Sequence, residues 1–149
     1  MGSYTTRVLE NGLRYLVVDG VVFAPELQRK GLFSKITNAA LTGSEGFVCL
    51  RTQNPRMFRA LENLCSITVG ARENLRGIFE KVREDLVDYF GCETDPLGVI
   101  KGYYGGLFYG ERPEHKEIDP LFSELGVDLD KGDALLAIGD IRVFNGIVA

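Results

Sequence analysis

VVFAPELQRKGLFSKITNAA, residues 21–40, is the stretch on which the fold turns. Val21, Val22 and Phe23 favour a strand, and Pro25 ends the ladder because it has no N–H to give. Leu32, Ile36 and Ala39 or Ala40 then recur at helical spacing, and Gly43 stands where a helix would stop. The spacing therefore predicts a strand, a loop and a helix, with Arg29, Lys30 and Gly31 at or just before the helix N-terminus. Free backbone N–H groups, the positive end of the helix dipole and two cationic side chains meet there. Such a place suits a phosphate or pyrophosphate. It also suits no ligand at all, since the same connection serves many α/β proteins as plain architecture.

Upstream, residues 4–9 are a strand candidate, and Asn11-Gly12 is a hairpin signal suited to a type I′ turn. Residues 13–23 return antiparallel. Asp19-Gly20 interrupts the return, either as a second turn or as a β-bulge within one long strand, and the bulge is the preferred reading. Downstream, residues 46–51 read as a short buried strand, so strand, helix and strand make a parallel crossover unit. TQNPRMFRALENLC, residues 52–65, follows as a helix. Asn54 is a good N-cap and Pro55 fits the first helical position, while Met57, Phe58, Leu61, Leu64 and Cys65 share an apolar face.

A longer amphipathic helix is expected over residues 72–90, with Leu75, Ile78, Phe79, Val82, Leu86, Tyr89 and Phe90 on one face and Gly91 as its stop. Residues 97–104 read as a strand. GYYGGLFYG, residues 102–110, is either a lid or acceptor wall with tyrosine hydroxyls for proton transfer, or a loop packing aromatics onto the core. Asp119-Pro120 opens a short helix that Gly126 stops. Residues 133–144 read as the closing strand, with Gly139 as a bulge candidate.

At 149 residues the chain fits a single domain, residues 1–149, long enough for a hydrophobic core. Hydrophobic residues at 45% and charged residues at 26% place it among globular rather than disordered chains. A net charge of −4 and a pI near 5.1 argue against nucleic-acid partners. No apolar run reaches the length of a membrane span and no signal-type start is present, so no membrane partner and a cytoplasmic location are expected. Cys49, Cys65 and Cys92 are odd in number and lack metal-ligand spacing, which favours reduced, buried thiols. His115 lies in a charged loop with no second ligand nearby, and no metal site is expected.

APELQRKGLF, residues 24–33, resembles the acetyl-CoA-binding motif of the GNAT acetyltransferase superfamily, roughly V-x-P-E-x-[QR]-x-x-G-x-[GA]. Pro25, Glu26, Gln28 and Gly31 match it. Phe23 replaces the usual Val, and Phe33 stands where the family prefers Gly or Ala. Residues 54–66 are similar to the second half of the pattern, N-P-x-x-x-x-x-Y-x-x-x-G-F. Asn54 and Pro55 match, Leu61 takes the place of the tyrosine, and Cys65 and Ser66 replace Gly-Phe. The resemblance covers residues 14–64, about a third of the chain. About twenty residues precede the motif, where the family places a strand and two helices.

The resemblance implies an α/β (α+β) fold with a GNAT-like mixed sheet, central strands flanked by helices, and a shortened N-terminus. It implies acetyl-CoA or another acyl-CoA as cofactor, and acyl transfer to an unidentified amine, small or peptidic. Val22 and Phe23 would offer backbone groups to the pantetheine arm. Gln28 would open the loop, and Arg29, Lys30, Gly31, Leu32 and Phe33 would offer N–H groups to the pyrophosphate. Asn54 would sit beside the cofactor arm. Asp19 is the one acidic candidate for a catalytic base, against its alternative as a turn or bulge residue. The family tyrosine commonly protonates the departing thiolate, so Leu61 keeps a second function open: a non-catalytic acyl-CoA sensor or partner subunit. An exposed first strand also predicts a homodimer by edge pairing.

Overall fold

A computed structural model describes residues 2–21, 30–65, 67–69, 77–107 and 110–142, the backbone alone for 67–69. Strand β1 (Gly2–Val8) pairs antiparallel with β2 (Arg14–Val21). Residues 9–13 connect them, and the turn enclosed by the Leu9–Leu13 bond has three residues rather than the two of a type I′ turn. Leu9 N–H bonds to Leu13 O at 2.8 Å, and Gly12, at φ 87°, bonds back to Leu9 O at 2.9 Å. Asn11 turns its side chain to the Leu13 N–H instead of entering the tight turn. Farther along, Ser3 faces Gly20 while Tyr4 faces Val18. Asp19 is thus the extra residue of a β-bulge, as the sequence suggests.

Helix α1 (Leu32–Ala40) joins β2 to β3 (Glu45–Thr52), and the two strands are parallel. The helix stops earlier than Gly43, because Leu41 turns extended while its N–H still bonds to Thr37 O. Helix α2 (Pro55–Leu64) follows, capped by Asn54, and then β4 (Ile67–Val69). Helix α3 (Ile78–Phe90) starts later than the expected residue 72, because Gly77 at φ 60° and ψ −122° is not helical and stands as its N-cap, while residues 72–76 lie outside the described residues. Gly91 ends it in the left-handed conformation, with its N–H and that of Cys92 closing on Asp88 and Val87 carbonyls.

Strand β5 is only Val99–Ile100, shorter than the sequence suggests. Side-chain carboxylates take the flanking amides that a ladder would need: Asp95 accepts from Leu97 and Val99, and Asp133 from Gly102. Helix α4 (Asp119–Leu125) and β6 (Ala134–Asp140) complete the fold. Gly139 sits in unbroken register opposite Val48 and is no bulge. It lacks a side chain because Cys65 and Leu61 fill the space a Cβ would need.

The strands form one mixed sheet in the order β1-β2-β3-β6-β4, and β5 pairs with β6 end to end with β4. Every residue of β6 is buried, which fits a strand covered on both faces. Side-chain alternation in β2 and β3 assigns the faces. Leu16, Val18, Val48 and Leu50 pack with Phe33 of α1, Phe58 and Leu61 of α2 and Phe122 of α4. Tyr15, Val17, Phe47 and Cys49 pack on the other face with Val82 and Leu86 of α3. The result is an α+β fold, a mixed sheet between helices. Among the described residues, no helix is long and apolar enough to cross a membrane.

Candidate functional site

The parallel ladder of β2 and β3 runs from Arg14↔Glu45 to Val18↔Leu50 and ends there. Each strand continues with its outer neighbour: β2 to Val21 opposite Gly2, and β3 to Thr52 opposite Leu135. The bulge at Asp19 begins one residue past the last shared pair and bends β2 where the two strands part. Beyond that pair β2 and β3 no longer pair with each other, and these are their carboxyl ends, the place where open α/β sheets hold ligands.

Helix α1 opens at the same end of the sheet. Its C-terminus feeds the start of β3 through four residues, so its N-terminus lies about 13 Å away, toward the strands' carboxyl ends. Gly31 is its N-cap residue at φ 68°, with no side-chain cap, and the first turn holds no acidic residue. Lys30 and Gly31 are exposed, and a Cβ added at Gly31 would meet nothing within 4 Å among the described residues. Among the described residues, no side chain caps the opening amides of α1.

The sequence-predicted residues separate into three groups. Val22, Phe23, Gln28 and Arg29 lie outside the described residues. Lys30, Gly31 and Leu32 form the opening of α1, while Phe33 turns its ring into the core, 6% exposed, instead of across the opening. Asn54 is spent on α2, where its side-chain oxygen accepts from Arg56 N–H at 3.0 Å. Asp19 lies on the opposite face from α1 and α2. Thr5 donates to one of its oxygens at 2.6 Å and Tyr89 to the other at 2.7 Å. With both oxygens taken, Asp19 ties the bulge to α3, and the geometry favours its structural role over that of a base. Leu61, at the position of the family tyrosine, is fully buried in the core.

Helix α3 covers the second face of the sheet and is held by charge as well as packing. Arg7 Nε and Nη2 donate to Asp85 at 3.1 Å each, and the Tyr15 hydroxyl donates to the same carboxylate. Burial opposes the Asp85 charge, but the hydrogen bonds from Arg7 and Tyr15 outweigh it and hold the carboxyl below its usual range. Arg51, at the parted end of β3, was invisible to motif reading. Its guanidinium carbon lies 4.3 Å from the Phe90 ring centre and 4.8 Å from that of Tyr103. The available signal was a charge in phase with Phe47 and Cys49 on a buried strand.

All three cysteines are reduced, Cys49 and Cys65 buried and Cys92 half-buried. His115 is half-buried, not freely solvated, and its Nδ1 accepts from Glu117 N–H at 3.2 Å. No group of residues suited to a metal ion occurs among the described residues. In comparisons with known proteins, no family model, curated protein or solved structure matches the chain.

Proposed function

We propose that the chain is a GNAT-like N-acetyltransferase, which binds an acyl-CoA at the carboxyl ends of β2 and β3 and transfers the acyl group to an amine. The observation that carries this reading is the end of β2–β3 pairing at the end of the sheet where α1 opens, uncapped among the described residues. An acyl-CoA bears a diphosphate at one end and two amides along its pantetheine arm. The diphosphate suits the free amides and positive dipole of a helix N-terminus. The arm suits strand edges that have lost their mutual pairing. Phe33 supports the assignment, since its ring is withdrawn into the core and leaves the helix opening accessible.

In this reading the amine attacks the thioester carbonyl carbon. A C–N bond forms, the C–S bond breaks, the amine gives up a proton and the thiolate takes one. The backbone amides of the bulged end of β2 are the donors we assign to the carbonyl oxygen. Asp19 fixes the bulge rather than taking the proton, which leaves through water.

A second reading has one observation in its favour. Leu61 is a packed core residue where a thiolate-protonating hydroxyl would be needed, which fits a protein that binds acyl-CoA without turning it over. Thermal shift with acetyl-CoA, followed by thiol release with a panel of amines, separates the two. Stabilisation with turnover is the transferase, and stabilisation without turnover is the sensor. No stabilisation removes both.

A further inference from the structure

We propose that Arg51 anchors a carboxylate of the acceptor, so that the acylated amine belongs to an amino acid. The acceptor class rests on the acyl-transfer reading above, whereas the anion site does not depend on it.

Arg51 follows Leu50, the last residue of β3 paired with β2, and faces away from α1. Two aromatic rings contact its guanidinium, Phe90 from the end of α3 and Tyr103 from the turn after β5. Such contacts satisfy the π-facing surface of the cation, not its N–H groups. Nε and Nη1 are buried and, among the described residues, have no hydrogen-bond partner. Buried donors of a charged group left empty are costly and call for a partner.

The surrounding residues do not supply one. Asp19, the acid of the same face on β2, has both oxygens engaged by Thr5 and Tyr89. Gln53 turns to the Gly106 carbonyl. Burial raises the Cys92 thiol and the nearby Arg51 lowers it only in part, so Cys92 stays neutral. A carboxylate from outside is the group whose charge and planar pair of oxygens match an arginine best.

The position also fits an acceptor. The opening of α1 lies toward one face of the sheet and Arg51 lies on the other, so coenzyme and amine approach from opposite sides. Two neighbours of Arg51, Cys92 and Tyr103, line an open depression of about 530 Å³ together with Glu93, Asp95 and Lys101, and Arg51 itself stands behind that wall. That size admits an amino acid.

The test compares wild type with Arg51→Met, which keeps the length of the stem and removes the donors. Without coenzyme, a panel of common amino acids is compared by thermal shift with the amines that remain when the carboxylate is removed, at fixed ionic strength. The proposal expects amino acids, and not the bare amines, to stabilise wild type, with the effect lost in Arg51→Met. That variant should melt no lower than wild type, because the donors it removes are unfilled. With acetyl-CoA, the preference in kcat/KM for alanine over ethylamine should fall about 10- to 100-fold. Arg51→Lys, which keeps the charge without the fork, should fall between the two. If wild type shows no carboxylate-dependent shift, or if Arg51→Met shifts equally, the proposal is overturned. A carboxylate shift in a protein that ignores acetyl-CoA would keep the anchor and end the transferase reading.

Discussion

Gly31 sets how much negative charge the opening of α1 tolerates. Its φ of 68° is the left-handed region, which Asn and Asp enter more readily than other side chains. Gly31→Asn and Gly31→Asp therefore carry the same backbone strain and differ by one charge. Added charge a few ångströms from a diphosphate opposes binding by about 2 kcal/mol or more at the dielectric of a protein surface. Gly31→Asp should bind acetyl-CoA at least about 30-fold more weakly than Gly31→Asn, measured by calorimetry. Equal affinities would place the diphosphate elsewhere. The direction of Phe33 was not legible in sequence, because a motif gives a position in the chain and not the rotation of the helix that bears it. The buried face of α1 is that of Phe33 and Thr37, four apart, one residue on from the Leu32 and Ile36 spacing the sequence displays, which is only half-buried.

At the scale of elements, α3 is the wall the second face depends on. Leu86 is fully buried against Tyr15, Val17 and their neighbours, and Leu86→Ala should cost about 2–5 kcal/mol of unfolding free energy. Asp85→Asn keeps the shape but weakens the bonds from Arg7 and Tyr15, for a loss of about 1–3 kcal/mol in denaturant melts. A loss near zero would mean that packing alone holds the helix. Periodicity revealed this helix and α2 with its Asn-Pro cap, and the Asp19-Gly20 pair flagged the bulge, since each depends on neighbours close in sequence. The short β5, the unbroken register at Gly139 and the setting of Arg51 depend on partners far along the chain. Asp133, Cys65, Phe90 and Tyr103 decide them, and no local pattern names those pairings.

For the whole molecule, pH reports how its charges are buried. Burial opposes ionisation of Glu45, Asp85, Asp133 and Asp140. Hydrogen bonds outweigh it in each, from Thr42 to Glu45, from Arg7 and Tyr15 to Asp85, from Gly102, Asp128 and Lys101 to Asp133, and from Arg142 to Asp140. Their folded values lie below the unfolded ones, so the unfolded chain binds more protons in acid. This stability is complete above the usual carboxylate range and is lost as pH falls below about 4. In alkali the sign reverses. Burial raises the Cys49 thiol and pushes that of Cys65 up to about 12, so stability declines as pH rises past the unfolded thiol value, about 8.5. Chemical melts across this range should show a plateau between the two limbs, and a stability that does not fall in acid would contradict the carboxylate assignments.

β1 stands at the edge of the sheet, with Val8 55% exposed. We propose a homodimer through that edge, and a monomer by light scattering at micromolar concentration would remove it. The acyl-CoA proposed at the carboxyl ends of β2 and β3 can be located residue by residue through amide NMR during an acetyl-CoA titration. Binding there should give saturable shifts concentrated at Lys30, Gly31, Leu32 and Phe33, at Asp19, Gly20 and Val21, and at Arg51 and Thr52. No saturable response, or one centred away from these residues, would contradict it.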